Sequence, residues 1–324
     1  MAGYGMKGHA MFAFQESFNT LNVDSLQALA ITEESVTLTK EQVIEQGMYG
    51  RFAESPYYNG ATTVEGDITM EASPSALDYF FKSALRTFQV TSDTSEYTHE
   101  YKTTGSTVDF DELCACDPLT IEVHRDVGSA AVYYNLCGNT FALNVANGEL
   151  LTATLGVLGG EMTRQAASSP TFPDAFPFKW DQSSITIDGA SVKDIQDMTI
   201  TINNNLENRW TLQQSATPYK IKRTSWQTIE IAGTFIFQAH SYWNAFIEQD
   251  YNSLICNWAS TQSPNAMKIE FPRIKFKSFE PNMSGPGIVE APFTAQGLFL
   301  PSSNTSIHVT MTNTVAPLYG DTLT

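Results

Sequence analysis

Two stretches of the chain lie on each other without a gap: Val64-Glu65-Gly66-Asp67-Ile68-Thr69-Met70-Glu71-Ala72 and Ile231-Ala232-Gly233-Thr234-Phe235-Ile236-Phe237-Gln238-Ala239. Alternation at a period of two marks each as a strand with one buried face. Gly66 and Gly233 coincide, which predicts the same bulge or close backbone approach in both. Each stretch runs into a helical pattern. After the first, Ser73 can cap, Pro74 takes the first helical position, and Leu77, Phe80, Phe81, Ala84 and Leu85 form an apolar stripe. After the second, a helix starts near Ser241 with Trp243, Phe246, Ile247, Tyr251 and Leu254 on its stripe.

The surroundings repeat as well. Alternation at Ser35–Thr39 precedes the first stretch and alternation at Met198–Ile202 the second, each followed by a long segment, Val43–Gly60 and Leu206–Trp226. Beyond the helices, Leu119–Val123 answers to Met267–Phe271, and Leu150–Leu158 to Ile288–Phe299 as closing strands. Phe141–Val145 leads to Asn147-Gly148, a type I′ hairpin signal, where the second half has a looser turn at Asn282–Gly287. The second half opens on a hairpin of its own, with Ile185 and Ile187 ahead of Asp188-Gly189. Between the halves Pro170, Pro173 and Pro177 exclude a helix or a central strand. The expectation is a mainly β (α+β) fold: two tandem β-sandwich or barrel domains, each flanked by one α-helix. Its bounds are an N-terminal arm over 1–24, a first domain over 25–163, a linker over 164–180, a second domain over 181–315 and a tail over 316–324.

Composition narrows what such domains can do. Only 16% of residues are charged, which suits hydroxyl-rich strand faces better than charged surface helices. The net charge of −17 argues against a protein that grips phosphates. The charge is uneven: residues 1–165 hold 8 basic and 22 acidic residues, a net of −14, and the remainder a net of −3. The N-terminus lacks the basic and apolar regions of a signal peptide, and no stretch approaches the ~18 apolar residues of a membrane span. Synthesis and solubility in a cytoplasm are expected.

Catalytic and metal readings find weak support. Cys114-Ala115-Cys116 with His124 and Cys137 offers soft ligands, but zinc sites show Cys pairs two to four residues apart and a second such pair. Buried free cysteines are common, and a disulfide scaffold is not expected from four cysteines without framework spacing. Asp109, Asp111, Glu112 and Asp117 could supply the paired carboxylates of a glycosidase, yet they lie in a polar stretch that reads as a solvated loop. No nucleophile elbow or His-Glu-x-x-His motif occurs, and Gly156–Gly160 lacks the Lys-Ser/Thr of a phosphate loop. No enzyme, cofactor or metal is expected. Basic residues gather at Lys220-Ile221-Lys222-Arg223 and at Lys268, Arg273, Lys275 and Lys277. The second group alternates with Ile274 and Phe276, giving a strand with one basic face. Met by the acidic first half of another copy, it would make a head-to-tail contact, which builds rings or filaments.

Two stretches carry a resemblance. Residues 64–81 run from a strand through Ala72-Ser73-Pro74 to Leu77 and Phe80-Phe81, and 192–206 run from a strand into Asn203-Asn204-Asn205-Leu206. From about Ser25 to Asn313 the chain resembles the tail tube (major tail) proteins of long-tailed bacteriophages with non-contractile tails, in particular members with duplicated domains. The resemblance implies a structural virion protein, made in the host cytoplasm and located in the tail. Three copies would form a pseudo-sixfold ring with a continuous β-lined lumen, and rings would stack into a conduit for DNA ejection. Tape-measure protein and DNA would pass through without sequence-specific binding, and tail terminator and tail-tip proteins would sit at the ends, with no membrane partner. Acidic strand faces of the first domain would line the channel. The aromatic-rich segments 43–60 and 206–226, with the N-terminal arm, would join ring to ring. The rival readings are a receptor- or carbohydrate-binding tail-tip or adhesin module, with Trp210, Trp226 and Trp258 as sugar platforms, a head-decoration protein, and a hydrolase at Asp109–Asp117.

Overall fold

Where the sequence alternates, strands form. The structure, a computed structural model, describes all residues except 1–3, 51, 55, 94–95, 104–115, 174–175, 239, 263, 284, 319–320 and 322–324, and the side chains of 87–88. In the first half the strands are β1 (His9–Phe14), β2 (Gln27–Leu29), β3 (Ile31–Glu34), β4 (Thr37–Ile44) and β5 (Tyr57–Glu71). Helix α1 (Pro74–Leu85) follows, then β6 (Thr87–Asp93), β7 (Glu96–Lys102), β8 (Leu119–His124), β9 (Ala130–Ala146), β10 (Thr152–Gly159) and β11 (Glu161–Gln165). The second half has β12 (Ser183–Ile187), β13 (Ala190–Val192), β14 (Ile195–Asn203), β15 (Leu206–Arg209), β16 (Lys220–Arg223) and β17 (Thr228–Ile236). Helix α2 (Ser241–Glu248) leads to β18 (Asn252–Ala259), β19 (Ala266–Phe279), β20 (Glu290–Gly297) and β21 (His308–Asn313). The protein is mainly antiparallel β with two α-helices, as the alternation requires.

The pairing is written twice. In the first half β1 pairs β2 and β8. The long β9 pairs β8 and β11 along its start and β10 along its end. Strand β10 then pairs β5, and β5 pairs β3 and β4. In the second half β12 pairs β13 and β18. The long β19 pairs β18 and β21 along its start and β20 along its end. Strand β20 pairs β17, and β17 pairs β14. The counterpart of Leu119–Val123 is therefore β18, not Met267–Phe271, which belongs to the bent β19. Alternation alone cannot tell one strand of a hairpin from its partner, and the bend at the middle of β19 made one strand read as two.

Gly66 and Gly233 hold equivalent places. A Cβ on Gly66, whose φ is +151°, would lie 2.6 Å from the Ser35 carbonyl and from the Val36 backbone, and one on Gly233 would strike the Asp197 carbonyl. In each half the strand paired beside the glycine slips register a few residues away, between Ile31 and Glu33 in β3 and between Ile195 and Asp197 in β14. A side chain in either place would push the strands apart.

Local details depart from expectation where tertiary contacts intervene. Ser73 stands at the N-cap, but its Oγ makes no capping bond. Only Gly148 takes a positive φ in the Asn147-Gly148 turn, so it is not type I′, which needs both. Asn147 N–H instead donates to the Gln196 carbonyl of the second half. Asp188 and Gly189, at φ +50° and +77°, do form the primed turn between β12 and β13. Helix α2 ends at Glu248, where Gln249 turns left-handed, so Tyr251 lies beyond it and Leu254 is on β18. Residues 9–14 of the expected arm are β1, buried between β2 and β8. One apolar core runs through both halves, with Phe12, Phe80, Phe81 and Phe141 at one end and Phe235, Trp258, Phe271 and Phe276 at the other.

Candidate assembly surfaces

The first surface is internal: the seam that joins the halves. The last part of β9 pairs β14 from Ala146↔Asp197 to Thr140↔Asn203, and β7 pairs β21 from Lys102↔His308 to Tyr97↔Asn313. Two strands from the first half thus extend sheets of the second. Asn204 continues the seam. Its Nδ2 donates to the carbonyls of Ala84, at the end of α1, and of Gly138, while its Oδ1 accepts from Arg223 and Gln227. Every hydrogen-bonding position of this buried amide is used, as a buried polar group requires.

Helix α1 is enclosed at this seam; eleven of its twelve residues are buried, Asp78 and Lys82 among them. Asp78 accepts from Tyr101 of β7 at 2.7 Å and from Asn313 at the end of β21. Burial pushes its carboxyl above the usual range, against the attraction of His99 3.9 Å away. Burial, with Asp78 adjoining, also pushes Tyr79 up to about 12. His99 Nε2 lies 3.0 Å from the Val315 carbonyl, and Lys82 Nζ bonds Asp321 at 2.7 Å while facing the Phe14 ring. The C-terminal segment of the second half is thereby strapped across the helix of the first. Polar groups so enclosed hold only while both partners stay. Sequence reading passed over Asp78 and Lys82: their i, i+4 spacing is that of an exposed pair, yet each turns to a partner over two hundred residues away.

The second surface is a pair of open edges. Among the described residues β3 and β4 pair only with β5, and β19 from Phe276 onward pairs only with β20. In the repeated pattern β3–β4 stands where β14 stands, and the end of β19 stands where the end of β9 stands. The edges that meet at the internal seam are thus left open at the two ends of the chain.

The third surface is the polar face of the sheet running β5, β10, β9, β14, β17, β20, β19. Its inner face carries Ile68, Leu155, Leu143, Ile200, Ile231 and Ala295 into the core. Its other face carries Thr69, Thr154, Asn144, Thr199, Thr201, Thr294 and Ser278, several bonded hydroxyl to hydroxyl or to amide across the strands. Glu65, Asp67, Glu71, Asp197, Glu230 and Glu290 share that face with Lys275 and Lys277, so acid outnumbers base; Lys277 and Glu230 lie 3.7 Å apart.

The fourth is a pair of projections. β4 and β5 continue as a hairpin to Ile44↔Tyr57, carrying Tyr49, Phe52, Tyr57 and Tyr58 exposed. β15 and β16 form a second hairpin with Trp210, Tyr219 and Trp226 exposed. The loop that joins β15 to β16 folds back onto the base of the first hairpin: Thr62 N–H donates to the Ala216 carbonyl, Thr62 Oγ1 donates to the Gly160 carbonyl, and Pro218 closes over Gly160.

The other sequence candidates are scattered. Trp258 is 1% exposed, so it cannot serve as a sugar platform; it is a core residue of β18. Cys116 and Cys256 are buried, and burial pushes both thiols far up. Cys137 is disulfide-bonded and so presents no thiolate. His124 packs on His9, with ring centroids 5.2 Å apart. Among the described residues no three His, Cys, Asp or Glu gather where a metal could sit. Asp117 lies 3.9 Å from Arg86, while Asp109, Asp111, Glu112 and Cys114 fall outside the described residues. No described helix is long and apolar enough to cross a membrane.

Fold and surfaces together define a mainly β protein whose features of note are strand edges, projections and a polar sheet face. Comparison by family gives it a place: a family model described as phage tail tube protein matches residues 7–297, and the chain belongs to that family. It is accordingly a structural component of the phage tail, in a family whose members assemble into a tube. No curated protein matches the chain.

Proposed function

We propose that the chain is a duplicated tail tube subunit, with one domain spanning β1 to β11 and the other β12 to β21. Three copies close a pseudo-sixfold ring, and stacked rings form the conduit through which DNA leaves the virion. The observation that carries this reading is the seam between β9 and β14. A joint that already links two halves of one repeated pattern, with its matching edges open at either end, specifies how the next copy adds. The β3–β4 edge of one copy lies along the β19–β20 hairpin of the next, and the pattern ends only when the ring closes, which leaves neither of these two edges exposed.

In such a ring the polar face looks into the channel. Its threonines and asparagines offer short side chains without charge, and its excess of carboxylates repels phosphate weakly along the whole path, so that passing DNA finds no site to hold it. The projections at 43–60 and 206–226, and the exposed residues just before β1, are then placed to join ring to ring, with exposed aromatics as anchors. Tape-measure protein inside, and terminator and tip proteins at the ends, complete the set of partners. Electron microscopy of the purified protein tests the reading: rings or tubes with a central hole and threefold symmetry are expected, and compact, glycan-binding oligomers without a hole would favour the adhesin.

A further inference from the structure

The two helices occupy equivalent places in the repeated pattern but have unlike surroundings. α1 buries eleven of its twelve residues because the second half of the chain covers it, through β21, residues 313–318, Asp321 and the Asn204 side chain. α2 buries none of its eight. It packs Tyr242 on Phe235 and Trp243 on Phe237, and leaves Ile247 58% exposed, with Tyr251 equally open just beyond its end. Met283 and Ile288, in the turn between β19 and β20, add to the same side of the half: Phe237 N–H donates to the carbonyl of Val289, next to Ile288.

Resting on the ring proposed above, we infer that α2 is a second contact between copies, covered in the ring by the first half of the next copy. The elements of that copy that correspond to the covering of α1 are the far end of β4 and strand β11. One observation selects this occupant. The cover of α2 is missing in the same half in which the end of β19 is left unpaired, so the neighbour that completes the β19–β20 edge comes to lie over α2.

Replacing Ile247 by Cys gives a direct readout, since this exposed position does not enter the fold of the isolated subunit. Maleimide labelling, corrected for the unsubstituted protein, is compared among monomers, single rings and stacked tubes. Labelling of I247C monomers and its loss in single rings is the expected result. Rings that form but label as fast as monomers overturn the inference and leave the ring intact. Protection that appears only in stacked tubes also overturns it, by assigning α2 to ring stacking. Absence of any ring removes the reading on which it rests as well. As a second variant, Ile247→Lys should keep the melting temperature of the monomer and lose ring closure; normal rings from I247K count against the contact.

Discussion

At the scale of residues, the polar groups that matter most are the buried ones. Asn204 is a short amide that closes the end of α1, holds the β9 backbone and receives Arg223 and Gln227, all within the seam between halves. Replacing it with Leu keeps much of its volume and strands two carbonyls and two donors. Asn204→Leu should cost about 3 kcal/mol, read as a lower urea midpoint, because an unmade buried hydrogen bond costs about 1–3 kcal/mol; an unchanged midpoint would show that the seam does not depend on it. The run Asn203-Asn204-Asn205 stood out in the sequence, but nothing in it distinguished the central amide from its neighbours. That distinction needs the carbonyl of Ala84, which is 120 residues away.

At the scale of elements, strands were legible and their neighbours only in part. Period-two alternation predicted β5, β14 and β17, and the Pro-containing start predicted α1, because these signals are local. The bend in β19, the β6–β7 hairpin on β21, and the early end of α2 depend on partners remote in sequence. The projecting β4–β5 hairpin shows the same division: its aromatics were visible, its meeting with residue Ala216 was not. Deleting residues 46–56 removes the tip and spares the Ile44–Tyr57 pair. Subunits so shortened should fold with unchanged β content and form no tubes; normal tubes in the electron microscope would assign the tip no part in stacking.

At the scale of the whole molecule, charge becomes a property of a surface. The net of −17 could lie anywhere on a sphere, but the pleat gathers six carboxylates on one face with two lysines. Changing Glu65, Asp67 and Glu230 to Lys should leave tube assembly in place and slow DNA ejection, with the delay shrinking as salt rises and screens the attraction. Ejection at the normal rate from such tails would place this face away from the channel.

What the sequence by itself determined is the β class, the two-part order of elements and the absence of any strong catalytic motif, because side-chain alternation and turn residues act over a few positions. Tertiary structure alone decided which edges are joined and which stay open, why α1 is enclosed and α2 is not, and where Asp78, Lys82 and Trp258 lie. Strand pairing and burial are settled between segments that the chain holds far apart, and no local pattern records the partner.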